Sequence, residues 1–484
     1  MVFLGLDIGS TAVKAMALDG QGDVLARGKC AYPTKVDGER STQRAEDWWS
    51  SAVSAVRQVI GALDDPGAVV ALSTSSQGGS MLALDDAYRP LTDAMTWMDR
   101  RAAAESERLA ADFGDAIYRM CGWRTTPVDC AAKLMWLRTH EPEIFRSAAH
   151  FMTTEEYINY RLCGADVTDP TGAAIMRLYN INTGAWDDGM LSYLGVSEAK
   201  LPCVVPSGTL IGTLTPGAAS ELGLSDDVRV YCGAHDQYCA SIGSGVARPG
   251  EILLATGTAW VIFGVTDTLC FNDHYIAPGR HPAGGCYGAM ATLSGVGAAV
   301  ESFAREAGMM PEQLDVGAAE RRVSAKELLC CPCPPGRTFL NHRAGICGTF
   351  SARFGLDNGY NVFDAGLAMM EGAAFEATLA IEQFSAAGMA RWSALTMSGG
   401  AARSRLWRGI VSAVTGRELL LTNESDTPAL GAGIIAVASY GAFDSIGRCA
   451  EVFVRRRPDG CDHSPELREF YSEKLERYRK WCIE

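Results

Sequence analysis

Leu4-Gly5-Leu6-Asp7-Ile8-Gly9-Ser10-Thr11 opens the chain, and a looser copy, Leu254-Ala255-Thr256-Gly257-Thr258-Ala259, returns with its glycine 248 residues further on. In both copies an apolar strand runs into a glycine flanked by hydroxyl side chains and a second apolar strand follows. An aspartate closes each unit ten residues after the glycine, at Asp19 and at Asp267. Glycine lets the backbone turn tightly and approach an anion, while neighbouring amides and hydroxyls can donate to phosphate oxygens. One such turn alone is equally an ordinary hairpin. A duplication at fixed spacing is a property of architecture, so the pair predicts two related halves whose turns face each other across a polyphosphate. The second copy has no counterpart of Asp7.

At 484 residues the chain exceeds the size at which one core stops growing, which predicts two domains of roughly 200 to 250 residues with a cleft between them. The boundary falls just beyond the strand Val228 to Cys232 and its sequel Gly233-Ala234-His235-Asp236-Gln237, giving residues 1–242 and 243–484. Apolar residues at 48% and charged residues at 21% are those of a globular chain. A net charge of -14 argues against nucleic acid or an anionic membrane as partner, and Arg455-Arg456-Arg457 reads as a solvated strand end. The first apolar run is interrupted by Asp7 and Gly9, so it reads as a strand and not a leader. Pro428 to Phe443 falls short of the roughly 20 residues of a membrane helix. The 16 cysteines are scattered, which suits a reducing compartment and predicts a cytoplasmic protein. Cys330-Cys331-Pro332-Cys333 looks like a metal knuckle, but no second ligand pair has matching spacing, although Cys347 is near; the cluster reads as buried or incidental thiols.

The opening predicts strands over 2–8, 12–18 and 23–30. Trp48, Val53, Val56 and Ile60 have helical spacing within 46–63, and a strand follows over 68–72. Ser73 to Gly79 reads as a polar loop beyond that strand, where sites often sit. The second half repeats the strand-turn-strand opening over 251–266 and adds helices near 296–307, 363–388 and 403–415. Strand and helix alternate, an α/β pattern. Ser464-Pro465 followed by an apolar stripe predicts a docked C-terminal helix.

Asp236, after a strand and before a helix, stands where the halves should meet. A carboxylate there can take the proton of a phosphoryl acceptor hydroxyl, or it can cap the helix; position alone does not separate the two. Asp7, beside a phosphate-type turn, can hold magnesium. Lys14 on the returning strand can reach phosphate or remain solvated. Ser398-Gly399-Gly400-Ala401-Ala402-Arg403 follows a strand and opens a helix, as a nucleotide-contacting loop would. Gln77, Trp97, Asp99 and Arg100 offer an apolar face with amide and carboxylate groups, suited to a polyhydroxylated ligand; Asp99-Arg100 can also be a surface pair.

Taken in order, Gly5 to Thr11, Asp47-Trp48-Trp49, Trp97-Met98-Asp99-Arg100-Arg101, Gly233 to Gln237, Thr256-Gly257-Thr258, Ser398 to Arg403 and Pro428-Ala429-Leu430-Gly431-Ala432 resemble the FGGY carbohydrate kinases, members of the actin, Hsp70 and hexokinase superfamily. The resemblance covers nearly the whole chain. It implies two ribonuclease-H-like domains with a catalytic cleft between them, ATP and magnesium as cofactors, and Asp236 as catalytic base with Asp7 near the metal. Gly9, Ser10, Thr11, Lys14, Thr256, Gly257, Thr258, Gly399, Gly400 and Ala401 would then face the nucleotide, and Gln77, Trp97, Asp99 and Gln237 the sugar. Ala132-Lys133-Leu134-Met135-Trp136-Leu137 with His140-Glu141-Pro142-Glu143 looks most like xylulokinases and nearby ketose kinases, implying a small-molecule sugar substrate and the possibility of a homodimer. Gly78-Gly79 stands where xylulokinases usually carry Met-His, and Gly336-Arg337-Thr338-Phe339 departs from their Gly-Glu-Arg-Thr-Pro. The expected acceptor is D-xylulose, with L-xylulose, ribulose, glycerol and erythritol as alternatives. A nucleotide-gated sugar-binding protein without turnover is the reading from another class.

Overall fold

The computed structural model describes residues 1–257, 259–272, 276–321, 328–334, 342–343, 345–352, 359–389, 392, 394–461 and 464–482. Two sheets carry the architecture, and they have the same plan. In the first, β1 (Val2–Ile8), β2 (Ala12–Asp19) and β3 (Val24–Ala31) form an antiparallel meander. β4 (Val69–Ser76) and β5 (Arg229–His235) then add parallel to β1, in the order β3-β2-β1-β4-β5. In the second, β6 (Ile252–Thr256), β7 (Trp260–Thr266) and β8 (Tyr287–Leu293) are the meander, and β9 (Ala394–Gly399) and β10 (Glu418–Thr422) the parallel pair, in the order β8-β7-β6-β9-β10. The duplication read from two turns is thus a duplication of sheets, and the chain is an α/β protein of two ribonuclease-H-like halves.

β1 is buried at every position because both faces of the sheet are covered, which is why it reads as a nearly unbroken apolar run. One cover is α1 (Ala45–Ala62), whose Trp48, Trp49, Ala52, Val56 and Val59 are buried on one stripe while Glu46 and Asp47 occupy its first turn. The other cover comes from further along the chain. α2 (Asp236–Gly243) and α5 (Thr427–Val437), the latter preceded by α3 (Val362–Ala386) and α4 (Arg405–Thr415), cross where small residues let their backbones meet. A Cβ on Gly431 would stand 1.9 Å from the Cys239 carbonyl, and one on Gly5 of β1 1.9 Å from the Ala429 carbonyl. Phe3, Met16 and Leu18 therefore share a core with Leu253, Phe263, Ile434 and Ile435 of the other half.

The second half closes with α6 (Pro465–Cys482), which buries Tyr471, Leu475, Tyr478 and Cys482 as the expected stripe. One local expectation is corrected: Ser73 to Ser76 are not loop but the buried end of β4. Between two parallel neighbours their backbone groups are paired, and hydroxyls such as Ser75 Oγ find acceptors on the next strand. No single helix among the described residues is long and apolar enough to cross a membrane.

Candidate functional site

The ends of β1, β4 and β5 lie level, with Asp7 opposite Ser75 and Ser75 opposite Ala234. Ser75 Oγ donates to Asp7 Oδ1 at 2.8 Å. Asp7 is 4% exposed; burial first, and then the charge of Asp236, push its carboxyl up to about 7, with Lys14 and Ser75 pulling the other way.

Asp236 is the first residue of α2, and the cap position belongs to His235, whose side chain makes no capping hydrogen bond. The capping alternative therefore fails, and Asp236 sits over the helix N-terminus with its side chain 23% exposed. Burial pushes its carboxyl up to about 6, while hydrogen bonds from the side chain and backbone of Gln237 work against that rise. Gln237 thus touches Asp236. His235 Nε2 lies 3.2 Å from Asp236 Oδ1, and burial pushes the imidazole down to about 4, so it is neutral at pH 7.

Gly9 closes its turn by donating from its amide to the Ala12 carbonyl, and three side chains from later in the first half hold the turn from outside. Tyr32 Oη donates to the Gly9 carbonyl, Gln43 Nε2 to the Ser10 carbonyl at 2.8 Å, and Trp97 Nε1 to Ser10 Oγ at 2.8 Å. Thr11 is exposed. Lys14 lies opposite Asp7 on β2, but its ammonium pairs with Asp426 Oδ1 at 2.7 Å, at the head of α5. In the second half, Thr256 Oγ1 donates to the Ser398 carbonyl at 2.6 Å and accepts from the Ala401 amide at 3.1 Å, while the Gly400 amide donates to the Thr256 carbonyl. Gly399 has φ +93°, and a Cβ there would stand 2.6 Å from the Thr256 carbonyl. The end of β6 before Gly257 and the Gly399–Ala401 loop are one bonded unit, and the Thr256 hydroxyl serves to hold it together. Thr258 and Gly336 to Phe339 lie outside the described residues.

On the sugar side of the expected site, Gln77 is 1% exposed; its Nε2 donates to Gln43 Oε1 at 2.9 Å, and its Oε1 has no partner among the described residues. His235 Nδ1 is likewise unpartnered. Trp97 is 40% exposed. Asp99 is different: both its oxygens are taken, by the Ser41 amide and by Arg101 through Nε at 2.9 Å and Nη2 at 2.7 Å. Its partner is Arg101, not Arg100, which pairs with Glu39 at the surface. A carboxylate so saturated shapes the Thr96–Arg101 turn.

Five contributors escaped the sequence reading. His235 and Ile175 fill the space a side chain at position 78 would need, since a Cβ on Gly78 would stand 2.3 Å from Ile175 Cδ1 and 2.6 Å from His235 Cδ2. Lys133, fully buried, donates to the carbonyls of Gly79 at 2.7 Å and Thr96 at 2.8 Å and so ties the backbone at Gly79 to the residue just before Trp97. A lone lysine in the apolar run Cys130 to Leu137 was its signal. Tyr32 and Ser75 had none, because their partners are set by strand register.

Residues 2–243 match the model of the N-terminal domain of the FGGY family of carbohydrate kinases, and residues 254–440 match that of its C-terminal domain. A xylulose kinase of Bacillus subtilis is 27% identical over 464 residues, covering 93% of this chain and 91% of that protein. A gluconokinase of Bacillus licheniformis is 25% identical, covering 91% and 88%. The crystal structure of xylulose kinase from Rhodospirillum rubrum superposes with a TM-score of 0.86 over 99% of this chain and 98% of that one, at 24% identity.

Proposed function

Because the chain belongs to the FGGY family of carbohydrate kinases, we propose that it transfers the terminal phosphoryl group of ATP to a primary hydroxyl of a ketopentose, with D-xylulose the first acceptor to test. The observation that carries the reading is Asp236: a carboxylate raised to about 6 yet still ionised at pH 7, at a helix N-terminus, beside the neutral His235. Such a group is matched to taking a proton from an alcohol as the phosphoryl group arrives. Gln77 Oε1 and His235 Nδ1, buried without partners, are where ligand hydroxyls would complete hydrogen bonds. Trp97 would offer its exposed face to the sugar. The Gly9 turn, Gly257 and the Gly399–Ala401 loop would hold the nucleotide.

Asp7 and Asp236 fit magnesium: both are hard oxygen donors, and the burial and then the Asp236 charge that raise Asp7 are what a bound cation would offset. Magnesium, when bound, neutralises charge on the transferring phosphoryl group. The chain's own part is to orient the hydroxyl, accept its proton at Asp236, and exclude water by closing its halves.

A second acceptor class, another ketose, a polyol or a sugar acid, is favoured by the packing at Gly78, where His235 and Ile175 occupy the space of a larger side chain; the gluconokinase relative points the same way. ADP release with magnesium and a panel of D- and L-ketopentoses, gluconate, glycerol and erythritol tests both. One acceptor that raises turnover in the wild type and not in Asp236→Asn supports the kinase reading. Saturable sugar binding without ADP release favours a nucleotide-gated binding protein instead.

A further inference from the structure

Apart from the Asp236 site in sequence, the second half gathers thiols from its middle and from its last helix. Cys331 and Cys333 lie on the segment before α3, His342 follows, and Cys482 is the last residue of α6. Ligand atoms of Cys331, His342 and Cys482 all lie within 4.8 Å of one another, and so do those of Cys331, Cys333 and Glu376. Cys331, Cys333, Cys482 and Glu376 are fully buried, and the His342 side chain is 2% exposed. The three cysteines are all free thiols. The reading of these cysteines as incidental rested on a missing second ligand pair; the fold supplies it from residues 9 and 149 positions beyond Cys333.

We infer that Cys331, Cys333, His342 and Cys482 form a structural site for one zinc-class ion. Three sulfurs and one imidazole are the donor set of a closed tetrahedral zinc site, and Cys331 is the donor that the two groups share, so an ion bound beside it draws on both. Soft thiolates select against magnesium, so this ion is distinct from the one expected at Asp7. His342 Nε2 lies 2.7 Å from Glu376 Oε1, the oxygen to which Tyr478 Oη also donates at 2.6 Å. A carboxylate hydrogen-bonded to a ligating histidine is the usual second layer of such a site, and here it fixes the ring. The ion enters as the three thiols release their protons to solvent.

The site has no open position, so its role is to fasten. The backbone around it is already laced: the Arg343 amide donates to the Cys482 carbonyl at 2.7 Å, and the Gly348 amide to the Cys331 carbonyl at 2.9 Å. One ion would tie the end of α6 to Cys331, Cys333 and His342 and, through Glu376, to the middle of α3.

Metal content of the full chain, purified without a metal-affinity step, tests the site by elemental analysis. About one zinc per chain is expected for a single four-ligand site. Glu376→Gln should weaken zinc retention against a chelator by about 10- to 100-fold, and Cys482→Ser by more. Cys203→Ser, at an exposed cysteine elsewhere, should retain the metal. If the cluster variants do not fold, cobalt(II) added to reduced, chelator-stripped wild type serves as the probe, and thiolate-to-metal charge-transfer absorption of a tetrahedral ion is expected. A wild-type chain without stoichiometric zinc that also gives no such absorption overturns the inference, as does a Cys331–Cys482 disulfide in the protein as isolated under reducing conditions.

Discussion

Lys14 of the first half and Asp426 of the second form an ion pair at 2.7 Å, each side chain 31% exposed. Lys14 lies opposite Asp7 in the β1–β2 register, so one lysine stands between the expected metal carboxylate and the helix that the second half lays against the first sheet. Partly exposed pairs contribute little to stability. A double-mutant cycle with Lys14→Met and Asp426→Asn should give a coupling of about 0.2 to 1 kcal/mol in denaturant unfolding. Lys14→Met should raise the KM for ATP more than Asp426→Asn does, since only the former removes the cation; equal effects would place Lys14 outside the phosphate site.

Asp236 must be ionised to accept a proton, and its carboxyl is raised to about 6. The acid limb of kcat/KM should therefore bend near pH 6, with activity falling as pH drops below it. Asp236→Asn should lower turnover by at least roughly 100-fold and remove that limb. A variant with near-wild-type turnover would show that another group takes the proton.

Asp7 titrates at about 7 in the folded chain against 3.8 for the ordinary group. Between those values the native state holds the proton that the unfolded state has lost, so this residue's contribution to stability is full in acid and is lost as pH rises through 7. Asp7→Asn should accordingly raise the melting temperature of the ligand-free protein most at pH 8 and distinctly less at pH 5, while depressing turnover. Magnesium should stabilise the wild type at pH 8 and not the variant. Thermal unfolding at the two pH values, with and without magnesium, checks both signs.

The Thr256 hydroxyl joins two loops through Ser398 and Ala401. Thr256→Val keeps the strand shape and leaves those groups unpaired, a cost of about 1 to 3 kcal/mol. Nucleotide KM should rise with little change in the sugar KM. Equal changes in both would mean that the loop unit serves the whole cleft.

At the helix crossing, Gly431→Ala has no room beside the Cys239 carbonyl. It should destabilise by at least about 1 to 3 kcal/mol, the range for overpacked cores. Because the crossing joins the halves, turnover should fall although no contact to substrate is changed. Unfolding curves compared with steady-state rates would show both effects.

Much of the frame was legible in the residues themselves. β1, β2, β3 and α1 fall within a residue or so of their expected limits because local periodicity and turn glycines dictate them. The two glycine turns announced two sheets of one plan, and Asp236 lies at a strand-to-helix junction that adjacent residues define. What periodicity cannot show is which side chains meet. Asp236 proved to be the first helical residue and not the cap, the Asp99 carboxylate is spent on Arg101, and Lys14 is held by Asp426, more than 400 positions away. Likewise His235 fills the space over Gly78, and Cys482 joins Cys331 across the second half. Local backbone preference acts over a few residues and is written in the order of the chain. Hydrogen bonds, ion pairs and shared thiol clusters depend on strand order, helix crossing and register, so only the packed tertiary structure decides them.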